Sequence, residues 1–290
     1  MLHEAYMIFA SIAAQISEIA PYWMSGLVVG SLVSVYLSEG IALKMNALTN
    51  DRHRGLSLCV ASLLGAASPI CMFGTVPIIA AFGRKGVPQY LLAAFMISSV
   101  LLNPNLFLLS FVLGTHIAMA RLFLVLLCGV LAGLLVLIFF KERQLFNFER
   151  FEPKDKVKKT YLRDLFKAFR ITAPYLLLGV TLTALFNRYV PPQLVSGLFG
   201  GRRGLGVLFA ASLSIPMYVC GGGVIPLIRA WLFAGMGTGD ALTFMLAGPA
   251  TKITNLSAVK MILGRKNFVL YLAYCIGFAV VVGLLWELIL

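Results

Sequence analysis

The hydrophobic pattern of the chain consists of long apolar runs that contain no charged residue. Each run is near or above the ~20 residues that an α-helix needs to cross the hydrocarbon core of a bilayer. The runs are residues 19–38, 55–83, 122–140, 204–228 and 267–286. They are too long for barrel strands and do not alternate between apolar and polar positions. The pattern therefore predicts an all-α polytopic membrane protein.

Residues that break helices occur at two kinds of site within the apolar sequence. The first reads SPICMFGTVPI around Cys71 and YVCGGGVIPL around Cys220; the second reads NPN at 103–105 and GPATKITN at 248–255. A broken helix leaves backbone N–H and C=O groups without partners, so within the membrane it occurs only where it faces protein or a water-filled cavity. We therefore expect discontinuous or re-entrant helices that meet at the centre. The predicted break or hinge residues are Pro69, Gly74, Pro77, Pro104, Gly221, Gly222, Gly223, Pro226 and Pro249.

Short identities recur at an offset of 149 to 153 residues, which indicates an internal repeat. They include APY at 20–22 and 173–175, and GLL at 133–135 and 283–285. We interpret residues 1–140 and 171–290 as two membrane repeats of four elements each, joined by a linker at 141–170. The repeats are parallel if the cysteine segments cross the membrane, and inverted if those segments are re-entrant hairpins. The distribution of basic residues favours inversion.

Composition agrees with a membrane protein and explains the positive charge. The chain is 60% hydrophobic and 12% charged, with a mean hydropathy of +0.93 and a net charge of +13. The linker at 141–170 holds ten of the 24 Lys and Arg residues, so it should remain in the cytoplasm and contact anionic lipid. No aromatic-interleaved basic surface accompanies the charge, so we expect no nucleic-acid partner. Glu4 and Glu18 argue against a cleaved signal peptide.

The duplicated cysteines are the candidate metal ligands. A free cysteine usually behaves as a small buried hydrophobe, which is how we interpret Cys59, Cys128 and Cys275. Cys71 and Cys220 differ because each lies at a backbone break. Thiolates are soft ligands for copper, zinc and similar species, and trivalent arsenic shares this affinity. One sulfur from each repeat would give a two-coordinate site from which the solute can be released. Met72 either adds a thioether or packs in the core.

Polar residues at the second pair of breaks are candidates for substrate contact. Lys252 is unusual, since a lysine at the bilayer centre costs about 2.5–3.5 kcal/mol. It would hold a nearby cysteine as thiolate, exchange protons in an antiport cycle or attract an anionic substrate; alternatively it extends to the headgroups. The neutral residues either contact substrate or cap broken helix ends, and the two roles are compatible. These are Asn103, Asn105, Thr251 and Asn255.

The sequence offers little support for catalysis. His3, His53 and His116 are scattered and form no His-x-x-x-His motif. No G-x-x-x-x-G-K-[ST] loop is present for nucleotide-driven transport. We therefore predict neither an enzyme nor a bound cofactor.

The second half of the chain resembles the ArsP/YraQ-type family of predicted permeases over residues 220–264. This segment reads CGGGVIPLIRAWLFAGMGTGDALTFMLAGPATKITNLSAVKMILG, and residues 68–114 follow the same pattern. Members of that family export trivalent organoarsenicals or are implicated in copper or zinc efflux. The resemblance implies that Cys71 and Cys220 supply the thiols and that residues 249–251 form the family's P-A-T segment. The chain departs from the pattern at Pro69, where a second cysteine is expected, and at Lys252, where a neutral polar residue is expected.

The leading hypothesis is a secondary transporter in the bacterial inner membrane that exports a thiophilic metal or metalloid species. Its expected partners are the lipid bilayer and a small inorganic or organometalloid solute, and homo-oligomer formation is left open. Two alternatives remain. One is a carrier for a small anion or sulfur compound with Lys252 as counter-charge, and the other is a membrane scaffold that does not transport.

Overall fold

The computed structural model describes residues 54–68, 72–84, 86–140, 144–147, 204–218 and 221–289, together with isolated positions in 10–28 and 162–199. Across these residues the regular structure is helical and no strand occurs, which confirms the all-α prediction. A single 3-10 turn, Phe111–Leu113, follows α4. The helices are α1 Arg54–Ala67, α2 Met72–Arg84, α3 Gln89–Leu101, α4 Pro104–Ser110, α5 Thr115–Phe139, α6 Leu205–Met217, α7 Gly221–Phe233, α8 Thr238–Thr251 and α9 Ile253–Ile289.

Two described helices are long and apolar enough to cross a membrane: α5 and the Ile262–Ile289 part of α9. A third apolar segment is bent by 50° between α3 and residues 106–113. Gly114 precedes α5 with φ 120°, and Gly264 bends α9 with φ 71°. Side chains are strained at such positive φ, so glycine permits both turns. We call the part of α9 after Gly264 its long arm.

One face of α5 is suited to lipid and the opposite face to protein. Large apolar side chains are exposed at every fourth position, whereas the other face is buried and carries the small residues Gly129 and Gly133. Without water to exclude, close packing of small residues is what holds helices together in a membrane. The exposed residues are Met119, Phe123, Leu127, Leu131 and Leu135.

Small and hydroxyl residues allow α1, α3 and α5 to approach closely. The hydroxyls of Ser62 in α1 and Ser98 in α3 are hydrogen-bonded at 2.7 Å, and Ser62 also donates to the Leu126 carbonyl of α5 at 3.0 Å. A Cβ atom on Gly129 would overlap both hydroxyls. In the second half, Gly283 of α9 packs in the same way on Thr243 of α8.

Residues 144–147, which follow α5, hydrogen-bond to both halves of the chain. The Leu145 amide donates to Gln89 Oε1 at the start of α3 at 2.6 Å, and Asn267 Nδ2 donates to the Leu145 carbonyl at 2.8 Å. The Asn147 amide donates to the Ile262 carbonyl at 2.7 Å. The end of α5 therefore lies beside the start of the long arm of α9, and these two helices run antiparallel. We call this side of the molecule the linker end.

Three helix ends meet on the opposite side, which we call the far end. Glu287 near the end of α9 accepts a hydrogen bond from the Gly204 amide, just before α6, at 3.1 Å. Trp286 Nε1 donates to Thr238 Oγ1 at the start of α8 at 3.2 Å. Asp240 in the first turn of α8 is buried and hydrogen-bonds to Glu287. A hydrogen bond between two carboxyl groups requires a proton on one of them.

The helix pairs α1–α2 and α6–α7 each enter the bundle and return to the same side. Leu58, in the first part of α1, packs beside Gly133 and the Tyr90 carbonyl near the linker end. The α2 helix leads through the turn at Gly86 directly into α3, which starts at that same end. By the same reasoning, α6 starts at the far end and α7 leads back to the start of α8 there.

The carboxyl pair at the far end should contribute measurably to stability. In Glu287→Ala, the Gly204 amide and the Asp240 carboxyl lose a partner, so we expect the free energy of unfolding to fall by about 1–3 kcal/mol. Glu287→Gln is the matched control, because its amide can accept from Gly204 and donate to Asp240. Denaturant unfolding of purified protein in detergent would measure both. Equal stability of the alanine variant and the wild type would contradict this account.

Candidate functional site

The helices that leave the backbone breaks pack against one another across the two halves. Helix α2, which begins directly after Cys71, packs on α9. Helix α7, which begins directly after Cys220, packs on α4 and on the 3-10 turn that follows it. Helices α3 and α8, which lead into the second pair of breaks, also contact each other. Broken segments of both halves therefore lie together in the bundle.

The break between α3 and α4 is closed by its own side chains. Asn103 is extended (φ −134°, ψ 166°), and its Oδ1 accepts a hydrogen bond from the Leu106 amide at 2.8 Å. Pro104 is the first residue of α4, where its missing N–H costs nothing. Asn103 is thus an N-cap, the role for which asparagine is well suited. Substrate contact by Asn103 remains a prediction.

The break between α8 and α9 is a single non-helical residue, Lys252 (φ −51°, ψ 127°), which is half-buried. Asn255 Nδ2 donates to the Pro249 carbonyl at 2.8 Å. Thr251 Oγ1 donates to the Ala247 carbonyl at 2.9 Å. The bond from Asn255 satisfies a carbonyl that the break leaves without its helical partner. Asn255 therefore caps the broken end, whereas Thr251 bonds to a carbonyl one turn back within α8. Contact of either residue with a solute stays a prediction.

The end of α6 lies against this second break. Tyr218, two residues before Cys220, packs so closely on Gly248 that a Cβ atom there would overlap its ring. Gly248 is in the last turn of α8, four residues before Lys252. The segment that leads to Cys220 thus approaches the P-A-T residues of α8.

The remaining predicted site residues are distributed between described and undescribed segments. Cys71, Cys220 and Pro69 lie outside the described residues, so the predicted thiol pair is not located. Pro226 and Pro249 lie inside α7 and α8 rather than at their ends. Met72, Gly74 and Pro77 belong to α2, Asn105 to α4, and Gly221, Gly222 and Gly223 to the first turn of α7.

A second thiol pair, which the sequence analysis interpreted as small buried hydrophobes, lies in the described core. Cys128 of α5 and Cys275 of α9 are both buried. The Tyr274 hydroxyl donates to the Cys128 carbonyl at 2.5 Å and also hydrogen-bonds to its thiol. The Tyr271 hydroxyl hydrogen-bonds to the Cys275 thiol, one turn further along α9. We call these four residues the thiol–tyrosine cluster. Each half of the chain contributes one thiol to it, and none of the four residues is charged.

The thiol–tyrosine cluster is connected to the second break. The Tyr271 hydroxyl lies 3.4 Å from the Ala250 carbonyl, two residues before Lys252. The expected burial of Cys128 and Cys275 is confirmed, whereas Cys59 is exposed because it lies on the outer face of α1 with Leu56 and Leu63. Within the described residues, no group of three His, Cys, Asp or Glu side chains could hold a metal ion. Two thiols suffice for transient two-coordinate binding of a soft species.

Arg121 is a functional candidate that the sequence analysis missed. It is the seventh residue of α5, and its side chain is completely buried. Its Nη1 donates to Ser110 Oγ at 2.8 Å, and Ser110 Oγ donates to the Leu106 carbonyl at 2.7 Å. The other two guanidinium nitrogens, Nε and Nη2, have no hydrogen-bond partner among the described residues. The signal was an arginine directly before the charge-free run at 122–140.

The sequence profile of the ArsP_1 family, described as predicted permeases, matches residues 1–288. The chain belongs to this permease family. Its identification as a family member from residues 220–264 is thereby confirmed.

Three relatives show the breadth of the family. A Bacillus subtilis protein named UPF0718 protein YcgR is 24% identical over 276 residues, which cover 92% of each chain. A Streptococcus mutans protein named as a subunit of a two-component membrane permease complex is 24% identical over 264 residues, 87% of this chain and 85% of its own. UPF0718 protein MJ0584 of Methanocaldococcus jannaschii is 28% identical over 137 residues, 47% of this chain and 38% of its own. No solved structure matches this permease.

Membership makes the permease a membrane transport protein, in agreement with its apolar helices. Its polar groups near the breaks are of two chemical kinds. The thiol–tyrosine cluster offers soft sulfur in a buried, uncharged setting. Arg121 offers a buried positive charge with unused N–H groups.

Proposed function

We propose that this permease is a secondary transporter that exports a thiophilic metal or metalloid species, such as trivalent (organo)arsenic, copper or zinc. The observation that carries the proposal is the thiol–tyrosine cluster, in which each half contributes a buried thiol and Tyr271 reaches the Ala250 carbonyl just before the second break. Soft sulfur selects thiophilic solutes over the abundant hard cations. A pair of thiols also binds weakly enough for release, which a closed four-ligand site would prevent.

In this proposal Cys71 and Cys220 are the capture ligands, and Cys128 and Cys275 form a second position for the solute. Support comes from the helices that follow the two capture cysteines, because α2 packs on α9 and α7 packs on α4. Each of these two helices thereby contacts the opposite half of the chain. Lys252, at the second break, would hold a capture cysteine as thiolate or exchange a proton during the cycle.

We further propose that the two halves are inverted repeats, which alternate access to a shared site by rocking. Positive-φ glycines recur at Gly86 and Gly235, and again at Gly114 and Gly264. Helices α3 and α8 start 149 residues apart, and so do α4 and α9. The corresponding long helices run antiparallel, and the helices before and after each cysteine start and finish at the same end of the bundle. With the linker end in the cytoplasm, the exposed Arg54, Arg265 and Lys266 follow the positive-inside rule.

A carrier for a small anion or sulfur compound is the second candidate. It is favoured by the buried Arg121, because no thiophilic cation needs a guanidinium. In that case Lys252 and Arg121, rather than the cysteines, would determine which solute is transported.

A resistance assay tests the leading proposal. Bacteria that lack their own efflux systems and express the permease should tolerate at least fourfold more of one trivalent arsenical, copper or zinc salt. Cys71→Ser and Cys220→Ser should each remove that tolerance, whereas Cys59→Ser, which changes an exposed thiol, should keep it. Tolerance that survives both capture-cysteine changes but is lost in Lys252→Met would favour the anion carrier. No tolerance to any of these salts would refute the proposal.

A further inference from the structure

We propose that Arg121 is the binding position for an oxyanion or carboxylate group of a soluble ligand, buried within the membrane bundle beside α4. This goes beyond the leading proposal, in which the ligands of the solute are thiols. It implies that the solute, or a co-transported ion, carries negative charge. Anion binding at Arg121 can be measured without transport, so the test of this proposal does not depend on the export activity.

The first argument is the burial of the guanidinium. A charged residue near the end of a membrane helix normally extends to the headgroups, where it is hydrated. Arg121 lies about 9 Å along α5 at 1.5 Å per residue, and none of its surface is exposed. Its side chain instead binds Ser110 inside the bundle. An inward-facing charge of this kind is costly and marks a functional position by default.

The second argument is the geometry of the unused donors. Nη1 is occupied by Ser110, which leaves Nε and Nη2 without partners among the described residues. These two nitrogens form one edge of the planar guanidinium, and their N–H bonds are parallel. That edge matches two oxygens of a carboxylate, phosphate or sulfate group and binds them bidentately. A monatomic anion would satisfy the pair less well.

The third argument is that the protein supplies no counter-charge in the described region. Its acidic residues there are Asp240 and Glu287, which hydrogen-bond to each other at the far end. Neither is a hydrogen-bond partner of Arg121. A structural role, in which Arg121 ties α5 to Ser110 of α4, accounts for one nitrogen only. Leaving the other two unpaired in a buried site would cost several kcal/mol at roughly 1–3 kcal/mol per group.

The position of Arg121 also brings the anion near the proposed solute path. Ser110 ends α4, and α4 with its 3-10 turn packs on α7. Helix α7 is the helix that follows Cys220. A ligand group held by Arg121 would therefore lie beside the second cysteine hairpin. A thiophilic compound that carries a carboxylate or oxyanion could engage both.

Thermal unfolding of the full-length permease in neutral detergent tests the proposal. Sulfate, phosphate and acetate would be titrated separately at constant ionic strength, with chloride as the reference anion. At least one of the three should raise the unfolding midpoint saturably. Arg121→Gln should abolish the shift. Arg121→Lys keeps the positive charge but lacks the two parallel N–H donors, so it should weaken the apparent affinity for the anion at least tenfold. Arg265→Gln, an exposed charge at the linker end, should respond like the wild type.

The controls separate folding and lipid effects from anion binding. Each variant must elute as a monodisperse species; if Arg121→Gln does not, Arg121→Lys alone decides. Phosphatidylglycerol and phosphatidylcholine would be added in a separate series to detect a lipid phosphate at the site. Protection by phosphatidylglycerol but by none of the three anions would overturn the assignment to a soluble ligand. Equal shifts in the wild type and in Arg121→Lys would overturn it as well.

Discussion

Replacement of Gly129 by leucine is expected to abolish the accumulation of folded protein. Gly129 faces α1 and α3, and a Cβ atom there would overlap the hydroxyls of Ser98 and Ser62 and come within 3.0 Å of the Ala94 carbonyl. The leucine would separate three helices and break the Ser62–Ser98 hydrogen bond, which lies at 2.7 Å. Overpacking alone costs about 1–3 kcal/mol, and a lost buried hydrogen bond adds about 1–3 kcal/mol.

The sum, about 2–6 kcal/mol, reaches the lower end of the stability of a typical domain, about 5–15 kcal/mol. The measurement is the yield of monodisperse protein after extraction in mild detergent, with the unfolding midpoint of whatever is recovered. Gly277→Leu is the matched control, because a Cβ atom on Gly277 of α9 meets nothing within 4 Å. That variant should be recovered at the wild-type level. Normal yield and stability of Gly129→Leu would show that α1, α3 and α5 do not pack as described.

The double substitution Cys128→Ala and Cys275→Ala is expected to reduce export at least tenfold while leaving the fold intact. The prediction rests on the proposed function, because it removes the soft ligands from the thiol–tyrosine cluster. Stability should change little. The Tyr274 hydroxyl keeps the backbone carbonyl of residue 128 as its acceptor, and the Tyr271 hydroxyl keeps that of Ala250.

Uptake of radiolabelled arsenite, copper or zinc into everted vesicles would give the export rate, and thermal unfolding would give the stability of the same preparation. Cys59→Ala is the control, since Cys59 is exposed on α1. A purely structural cluster would produce the opposite pattern, with lower stability and an unchanged rate for each folded molecule. That result would leave Cys71 and Cys220 as the ligands to be examined.

The class of fold was predictable because it depends on local sequence. Charge-free runs longer than a bilayer crossing can only be helical, and α5 and the long arm of α9 fall in the runs at 122–140 and 267–286. The NPN motif coincides with the break before α4 because asparagine caps helices and proline starts them. These features need no information about distant residues.

The contacts between the halves could not be predicted in the same way. Cys128 and Tyr274 are 146 residues apart, and nothing in either local sequence indicates that the two meet. Cys128 was therefore interpreted as a filler of the core, which its burial alone cannot distinguish from a ligand. Arg121 was not predicted as a functional residue because it directly precedes the charge-free run at 122–140, where a charged residue is expected at the end of a membrane helix. Its orientation toward Ser110 depends on how α4 folds back, which is a tertiary property.

The hydrogen bonds at the far end join segments that are synthesised at different times. The Gly204 amide precedes its acceptor Glu287 by 83 residues, and Thr238 precedes its donor Trp286 by 48. When the ribosome has delivered the starts of α6 and α8, their partners have not yet been made. The Gly204 amide and the Thr238 hydroxyl therefore depend on water until α9 has been made, and the far end of the second half is completed only by the last helix.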